Sequence, residues 1–394
     1  MSGLWPNSNE EAKMELKDIR KEIDAVDEEM VRLFVRRMKA ADAVADAKRG
    51  SGRPVFDPAR EREILARVSK VVGPTMEDEA RLMFSTLMSL SRGRQRAELA
   101  DGGAFAQSVT AAISSTPDRI ETGASVACPG AEGGYSQQAA TAMVRVPTIF
   151  YFRDFESIFS AVEKGMCAYG VLPIENSTAG SVTQVYDMMG RHDFRIVRAQ
   201  KLRIRHALLA LPGVKFEDVR EIASHPHALA QCARFLSAHP DVKISPAANT
   251  AVAAETLAKS GRRDLAVIAS RDCAELYSLE VVEGDVADTL SNFTRFILIS
   301  RTGEIYPDAN KLSIMMNLSH RPGALADVLV RFAATGVNLT KIESRPVPGS
   351  DFEFGFIFDF EASPRDPAVV RLLSGFACDS GIEDFTFLGA YAEK

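Results

Sequence analysis

From Leu16 onward, apolar residues recur at steps of three and four: Leu16, Ile19, Ile23, Val26, Met30 and Leu33. The seam continues through Arg37, Ala40, Val44 and Ala47 and predicts a single helix of roughly 35 residues. Gly50 to Pro54 breaks it. Asp57-Pro58 restarts a helix, with an N-cap carboxylate followed by proline at the first helical position. Gly73-Pro74 interrupts again, and a third helix runs from Met76 to about Ala97. Two short helices cannot cover a seam this long. Residues 14–97 are therefore expected to form an all-α module that dimerises through its long helix.

The rest of the chain has a different rhythm. Residues 98–124, rich in Ala, Gly, Ser and Thr, read as a linker. Over 125–301 short β-rich runs (Ser125–Cys128, Tyr169–Pro173, Arg195–Ala199, His206–Leu211, Leu265–Ala269) alternate with helical stretches such as Phe155–Lys164 and Ala228–Ala238. That is an α/β pattern long enough for two lobes. Residues 311–394 read β-α-β-β-α-β, an α+β ferredoxin-like unit.

A chain of 394 residues implies two or three domains. A net charge of −6 argues against nucleic acid as a partner. No run approaches the roughly 20 apolar residues of a membrane span, and Met1–Glu11 lacks the apolar core of a signal peptide. The expected place is therefore the cytosol. Cys128, Cys167, Cys232, Cys273 and Cys378 are scattered, which suits reduced thiols. His225 and His227 lack further ligands nearby, so no metal is expected.

Arg37 occupies a seam position where an apolar residue belongs. A buried guanidinium needs an anion, and an Asp or Glu on a neighbouring helix is the plain reading. Yet Arg20, Lys48 and Arg60 can join it in a small bundle against only Asp57 and Glu61. That excess of cations suits a dicarboxylate ligand. Ile19–Asp24, Arg36-Arg37, Ala47-Lys48, Arg53–Val55 and Asp57–Glu63 together resemble the all-helical chorismate mutases, which are intertwined homodimers. The resemblance implies that Arg20 (from the partner chain), Arg37 and Arg60 clamp the two carboxylates. It makes Lys48 and Gln95 donors to the ether oxygen, has Asp57 and Glu61 hold the substrate hydroxyl, and puts Ser91 in the pocket. A Claisen rearrangement needs a compressed conformer and donors where charge grows, with no acid, base or cofactor.

In the central module, Pro129–Ser136 is a glycine-bearing turn that offers amides to an anion. Pro173–Ser181 alone is an ordinary loop, and Asn292–Phe296 alone a strand edge. Together with Ser224-His225-Pro226, Gln231-Cys232 and Asn249–Ala253, these stretches resemble the prephenate dehydratases over nearly all of 125–301. That family has two α/β lobes like a periplasmic binding protein. The likeness implies catalysis at Thr294; the leaving ring hydroxyl of prephenate needs a donor, and because threonine alone is a poor acid, Glu175, Asn176 or Ser177 is expected to polarise it. Ser224, Gln231 and Thr250 are expected to hold substrate. Arg295 is expected to contact substrate only if the strand bulges, because side chains alternate. His227, where the family commonly has Gln, is expected to face solvent at the start of a helix.

His320–Leu325 and Glu343–Pro346 read alone as turns. In context residues 311–394 resemble the ACT regulatory domain of phenylalanine-sensitive dehydratases. The likeness implies a phenylalanine site at Gly323, Ala324, Leu325, Asn338, Glu343, Ser344 and Arg345, in a dimer or tetramer. Substrates would be chorismate and prephenate. Other readings are a mutase module kept only for dimerisation, a ligand-sensing regulator, and a prephenate dehydrogenase. The retained Arg20, Arg37, Lys48, Arg60 and Glu61 disfavour the first. The acidic balance disfavours the second, and the lack of GxGxxG the third.

Overall fold

The computed structural model describes residues 15–49, 53, 55–99, 104–289, 291–346, 354–379 and 381–394. Met14 and most of the break at Gly50 to Pro54 lie outside them. The long helix forms as expected: α1 is Leu16–Lys48. α2 (Pro58–Val72) starts with the Asp57 carboxylate accepting from the Arg60 amide at 3.0 Å and ends at Gly73, φ 73°. α3 (Glu77–Leu99) opens on Glu77, Asp78 and Glu79, which oppose the positive end of its dipole. The described buried residues of α1 are Met38, Ala41 and Ala45, all in its second half. Leu16, Ile23, Val31 and Leu33 are each more than half exposed. The N-terminal part of the seam is bare in a single chain.

The expected linker holds a helix, α4 (Ala104–Ser115). Phe105, Val109, Ala112 and Ile113 share one of its faces and join the core of the C-terminal module. Phe105 meets Phe385 and Phe387 edge-on, with centroids 5.9 and 5.5 Å away. Its small residues suggested a flexible connection, but four apolar groups at helical spacing decide the outcome.

The central module contributes β1 (Ser125–Pro129), β2 (Thr148–Phe152), β3 (Tyr169–Asn176), β4 (Gly180–Ser181) and β5 (Arg195–Arg203). It continues with β6 (Ala207–Ala210), β7 (Glu221–Ser224), β8 (Lys243–Pro246), β9 (Leu265–Ala269) and β10 (Glu280–Glu283), then returns with β11 (Phe293–Ser300). The first lobe has the order β5-β11-β3-β1-β2, with β4 on β3; the second has β10-β6-β9-β7-β8. The chain crosses between lobes twice, and the crossovers run side by side. The Ile204 amide donates to the Asn292 carbonyl at 2.8 Å, and Val286 to His206 at 2.9 Å. The helix expected over Ala228–Ala238 is two short ones, Pro226–Ala230 and Ala233–Ser237, broken at Gln231-Cys232.

The C-terminal module adds β12 (Lys311–Leu318), β13 (Asn338–Pro346), β14 (Phe354–Glu361) and β15 (Ile382–Glu393), ordered β13-β14-β12-β15. The helices Ala324–Thr335 and Pro367–Ala377 complete the β-α-β-β-α-β unit. One connection was not foreseen: β15 pairs in parallel with β5, Ala392 and Glu393 opposite Arg198 and Ala199. The first lobe and the C-terminal module thus share one sheet and one core, in which Ile357, Leu388 and Tyr391 pack with Ile196, Ile297 and Ile299. Gly389 makes the close approach possible. At φ 149°, a Cβ there would lie 2.2 Å from the Ile196 carbonyl oxygen. Gly389→Ala should therefore destabilise the chain by about 2–3 kcal/mol, read as a lower denaturant midpoint.

Candidate active sites

In the helical module, Arg37 projects from the buried end of α1. It donates to the Leu87 carbonyl at 2.9 Å and to the Ser91 hydroxyl of α3. Burial pulls its guanidinium below the usual value, and Glu61 partly offsets this. Lys48 donates to the Val55 carbonyl at 3.1 Å, tying the end of α1 to the turn before α2. Gln95 is buried, and its Oε1 has no hydrogen-bond partner among the described residues. Asp57 serves as the α2 cap. Two expected residues lie apart in the single chain. Arg60 pairs with Glu63 at 2.9 Å on an exposed face. Arg20 stands on the bare part of α1, about 25 Å of helix rise before Arg37.

Arg92 was missed. It bonds Glu61 and also reaches Asp327, at 3.0 Å, on the first turn of the Ala324–Thr335 helix. One helix turn later, Arg96 shares Asp379 with Arg331. The signal was present: two arginines four residues apart, beside Ser91 and Gln95 on α3.

In the central module Thr294, the second residue of β11, lies opposite Asn176 at the end of β3. Asn176 Nδ2 donates to Thr294 Oγ1 at 2.9 Å and to Asn292 Oδ1 at 2.8 Å. Asn292 Nδ2 donates to Gln231 Oε1 at 3.0 Å, and Gln231 Nε2 to Thr178 Oγ1 at 3.2 Å. The Thr178 hydroxyl closes the ring on Asn176 Oδ1 at 2.6 Å. This ring of three amides and a hydroxyl fixes which way each amide points. It links the second lobe, through Gln231, to a crossover, through Asn292. The helix break at Gln231-Cys232 is what frees Gln231 to join.

Since Gln231 Oε1 is an acceptor, the Nε2 of His206 on the other crossover donates to it, at 2.9 Å. Burial lowers the His206 pKa, with the Gln231 bond opposing, so the ring is neutral. Ser177 is locked into the same turn: its hydroxyl donates to the Ser291 carbonyl at 3.1 Å and accepts from the Phe293 amide at 2.9 Å. Asn292, Thr178 and His206 were not singled out as ligand-facing. Isolated polar residues in loops carry no periodic signal, and only the fold brings them together.

Several expectations need correction. Ser224 is fully buried and donates to the Ile268 carbonyl at 2.6 Å, so it fastens the second sheet. The Pro129–Ser136 turn has protein partners for three of its amides, with Gly130 donating to the Phe152 carbonyl, Gly133 to Gln137 and Gly134 to Ala131. It meets the second lobe directly: the Ser270 hydroxyl donates to the Gly133 carbonyl at 2.9 Å and Tyr277 to Glu132 at 2.8 Å. Gly133, at φ 83°, leaves no room for a Cβ beside Cys273 and Leu276. Thr250 opens a helix capped by Asn249, half-buried. His227 faces solvent in the first turn of its helix.

Arg295 turns away from Thr294. β11 has a register shift after it, but the side chain points to the C-terminal module. Nη1 binds Asp359 at 2.5 Å and Nη2 the Tyr391 hydroxyl at 2.7 Å. Glu175 pairs with Lys341 of β13 at 3.1 Å. Of the expected effector residues, Glu343 accepts from Ser181 at 2.9 Å and Arg345 pairs with Asp187. Asn338 bonds Glu361 at 3.0 Å. Ser344 lies between Glu343 and Arg345 on β13, and Gly323 (φ 83°) precedes Ala324 and Leu325 at the head of their helix. Among the described residues, no group of three or more His, Cys, Asp and Glu could hold a metal ion, and no helix is long and apolar enough to cross a membrane.

Residues 19–96 match chorismate mutase type II, 126–304 prephenate dehydratase and 313–376 the ACT domain. The bifunctional chorismate mutase/prephenate dehydratase of Pseudomonas aeruginosa is 31% identical over 91% of this chain and 93% of its own length. Arogenate dehydratase/prephenate dehydratase 2 of Arabidopsis thaliana is 40% identical over 63% of this chain and 68% of its own. The structure of prephenate dehydratase from Arthrobacter aurescens in complex with L-Phe has a TM-score of 0.60 at 31% identity, covering 68% of this chain and 90% of that one. With all three modules in order and matched nearly end to end, the chain belongs to the bifunctional chorismate mutase/prephenate dehydratase family.

Proposed function

We propose that the helical module rearranges chorismate to prephenate and that the cleft between the lobes converts prephenate to phenylpyruvate, under feedback by phenylalanine at the C-terminal module. The observation that carries the second step is the bond from Asn176 Nδ2 to Thr294 Oγ1. The threonine oxygen accepts there, so its own proton is left for the substrate. A donor to that oxygen also makes the proton more acidic. As the ring carboxylate leaves as carbon dioxide, its bond electrons aromatise the ring and expel hydroxide. Thr294 donates to the departing oxygen. Gln231 and Thr250 bound the same cleft, and Glu175 acts on it through Lys341.

In the mutase pocket Arg37 binds a carboxylate, Lys48 and Gln95 face the ether oxygen, and Glu61 with Asp57 holds the hydroxyl. Arg92 must share Glu61 with the substrate. Arg20 completes the pocket from a second copy, whose helix covers the bare seam. Arg60 reaches the substrate by leaving Glu63, a surface pair worth little. The effector reading rests on the helix start at Gly323–Leu325 and on β13, whose Glu343 and Arg345 already touch the dehydratase module. The proposed place of action is the cytosol.

Purified chain given chorismate alone should form phenylpyruvate, and millimolar phenylalanine should slow it. Thr294→Val should let prephenate accumulate instead, with dehydratase kcat down at least tenfold, about 1.4 kcal/mol, and mutase rate unchanged. Unaltered phenylpyruvate output from that variant overturns the donor role. Arogenate offered in parallel tells whether an ammonium in place of the keto group is accepted. Arg20→Ala and Arg37→Ala should each abolish mutase activity, yet mixed subunits should regain about a quarter of it, since half the dimers then carry one intact site. No recovery on mixing would mean that each chain builds its own pocket.

A further inference from the structure

Arg295 is adjacent to Thr294 but buried on the far side of β11. There its hydrogen-bond and ion-pair partners come from the C-terminal module: Asp359 of β14, and Tyr391 and Glu393 of β15. Its Nε approaches Glu393 at 2.5 Å as an ion pair without hydrogen-bond alignment. Tyr391 accepts from Arg295 and donates to the Ser313 hydroxyl at 2.6 Å, and Ser313 donates to the other oxygen of Asp359 at 2.5 Å. Lys201 of β5 and Lys311 of β12 both bind Glu393 Oε1, each at 2.8 Å. Three cations thus surround two carboxylates. Burial pushes the Glu393 carboxyl up, but Arg295 and the two lysines outweigh it and hold it at about 2. The Glu393 carboxylate therefore stays charged at working pH, and its ion pair with Arg295 is a fixed rivet.

The strand opposite Thr294 is gripped from the same module. Lys341 of β13 reaches Glu175 at 3.1 Å and Ser181 at 3.0 Å, on either side of the hairpin that carries Asn176. Both partners of the Asn176–Thr294 bond are therefore anchored to the C-terminal sheet, one through Arg295 and one through Lys341.

We propose that Arg295, with Asp359 as its socket, is a positioning residue for dehydration: the C-terminal sheet sets through it where β11 presents the Thr294 hydroxyl. This rests on the donor reading of Thr294. A simple structural pair would cost stability when broken but would leave turnover of the folded enzyme alone. A positioning pair costs kcat in a chain that is still folded. The bidentate guanidinium matters as well as its charge, because a lysine holds a single point.

The test compares Arg295→Met, Arg295→Lys, Asp359→Asn and Thr294→Val in the full chain, with mutase rate and unfolding midpoint as controls on the same molecule. Asp359→Asn keeps the shape of the socket, so it stays informative if Arg295→Met does not fold. Asp359→Asn and Arg295→Met should lower dehydratase kcat by about 30-fold, with KM within about threefold and the mutase rate unchanged. Arg295→Lys should recover part of the loss. Dehydratase kcat within about twofold of the parent for Asp359→Asn, while Thr294→Val is impaired, overturns the positioning role alone. Full turnover in Thr294→Val overturns the donor reading beneath it.

Discussion

A β-strand sends successive side chains to opposite faces, and that period of two places the two functions of β11 back to back. Thr294 faces the hydrogen-bonded ring at the lobe hinge, and Arg295 faces the C-terminal module. The register shift comes after Arg295, so it does not bring the pair to one side. The rest of the architecture follows from this arrangement. β15 must lie beside β5 for Tyr391 and Glu393 to reach Arg295, and Gly389 lets the backbones come that close. The ACT module is thereby built into the sheet that carries Thr294.

The hinge is a hydrogen-bonded polar ring with Asn292 buried, Asn176 and Gln231 half-buried and Thr178 at the surface. Removing one member of such a ring strands its neighbours, and each orphaned buried group costs about 1–3 kcal/mol. Gln231 is the contribution of the second lobe, so lobe geometry and the orientation of Asn176 are linked. A similar logic joins the other end of the molecule. Arg92 divides its guanidinium between Glu61 and Asp327, so a carboxylate of the helical module and a helix of the C-terminal module share one cation. Both proposed sites are thus tied by ion pairs to the same small module.

Much of this was legible in the sequence, for physical reasons. The seam from Leu16 to Leu33 has a period that only a helix satisfies, and its bare stretch in the single chain is the excess length the spacing foretold. The order of elements in 311–394 followed from the alternation of strand-like and helix-like runs. Asp57-Pro58 marked a helix start to the residue. Contacts remote in sequence were not legible. Asp359 sits among the phenylalanines of β14, an anomaly that signalled a buried partner but not that the partner was Arg295. Ser224 looked like a ligand residue and is a fastener, because nothing local tells a hydroxyl facing a cleft from one facing a neighbouring carbonyl. α4 was read as linker because small residues outnumbered its four apolar anchors.

The central claim is that the C-terminal sheet acts on dehydration through Thr294. A double-mutant cycle on dehydratase kcat between Asp359→Asn and Thr294→Val measures this directly, since residues acting through one another are non-additive. The account predicts that once Thr294 is valine, Asp359→Asn costs almost nothing further. Equal losses from Asp359→Asn in both backgrounds would mean that the junction and the threonine act independently, and would contradict it.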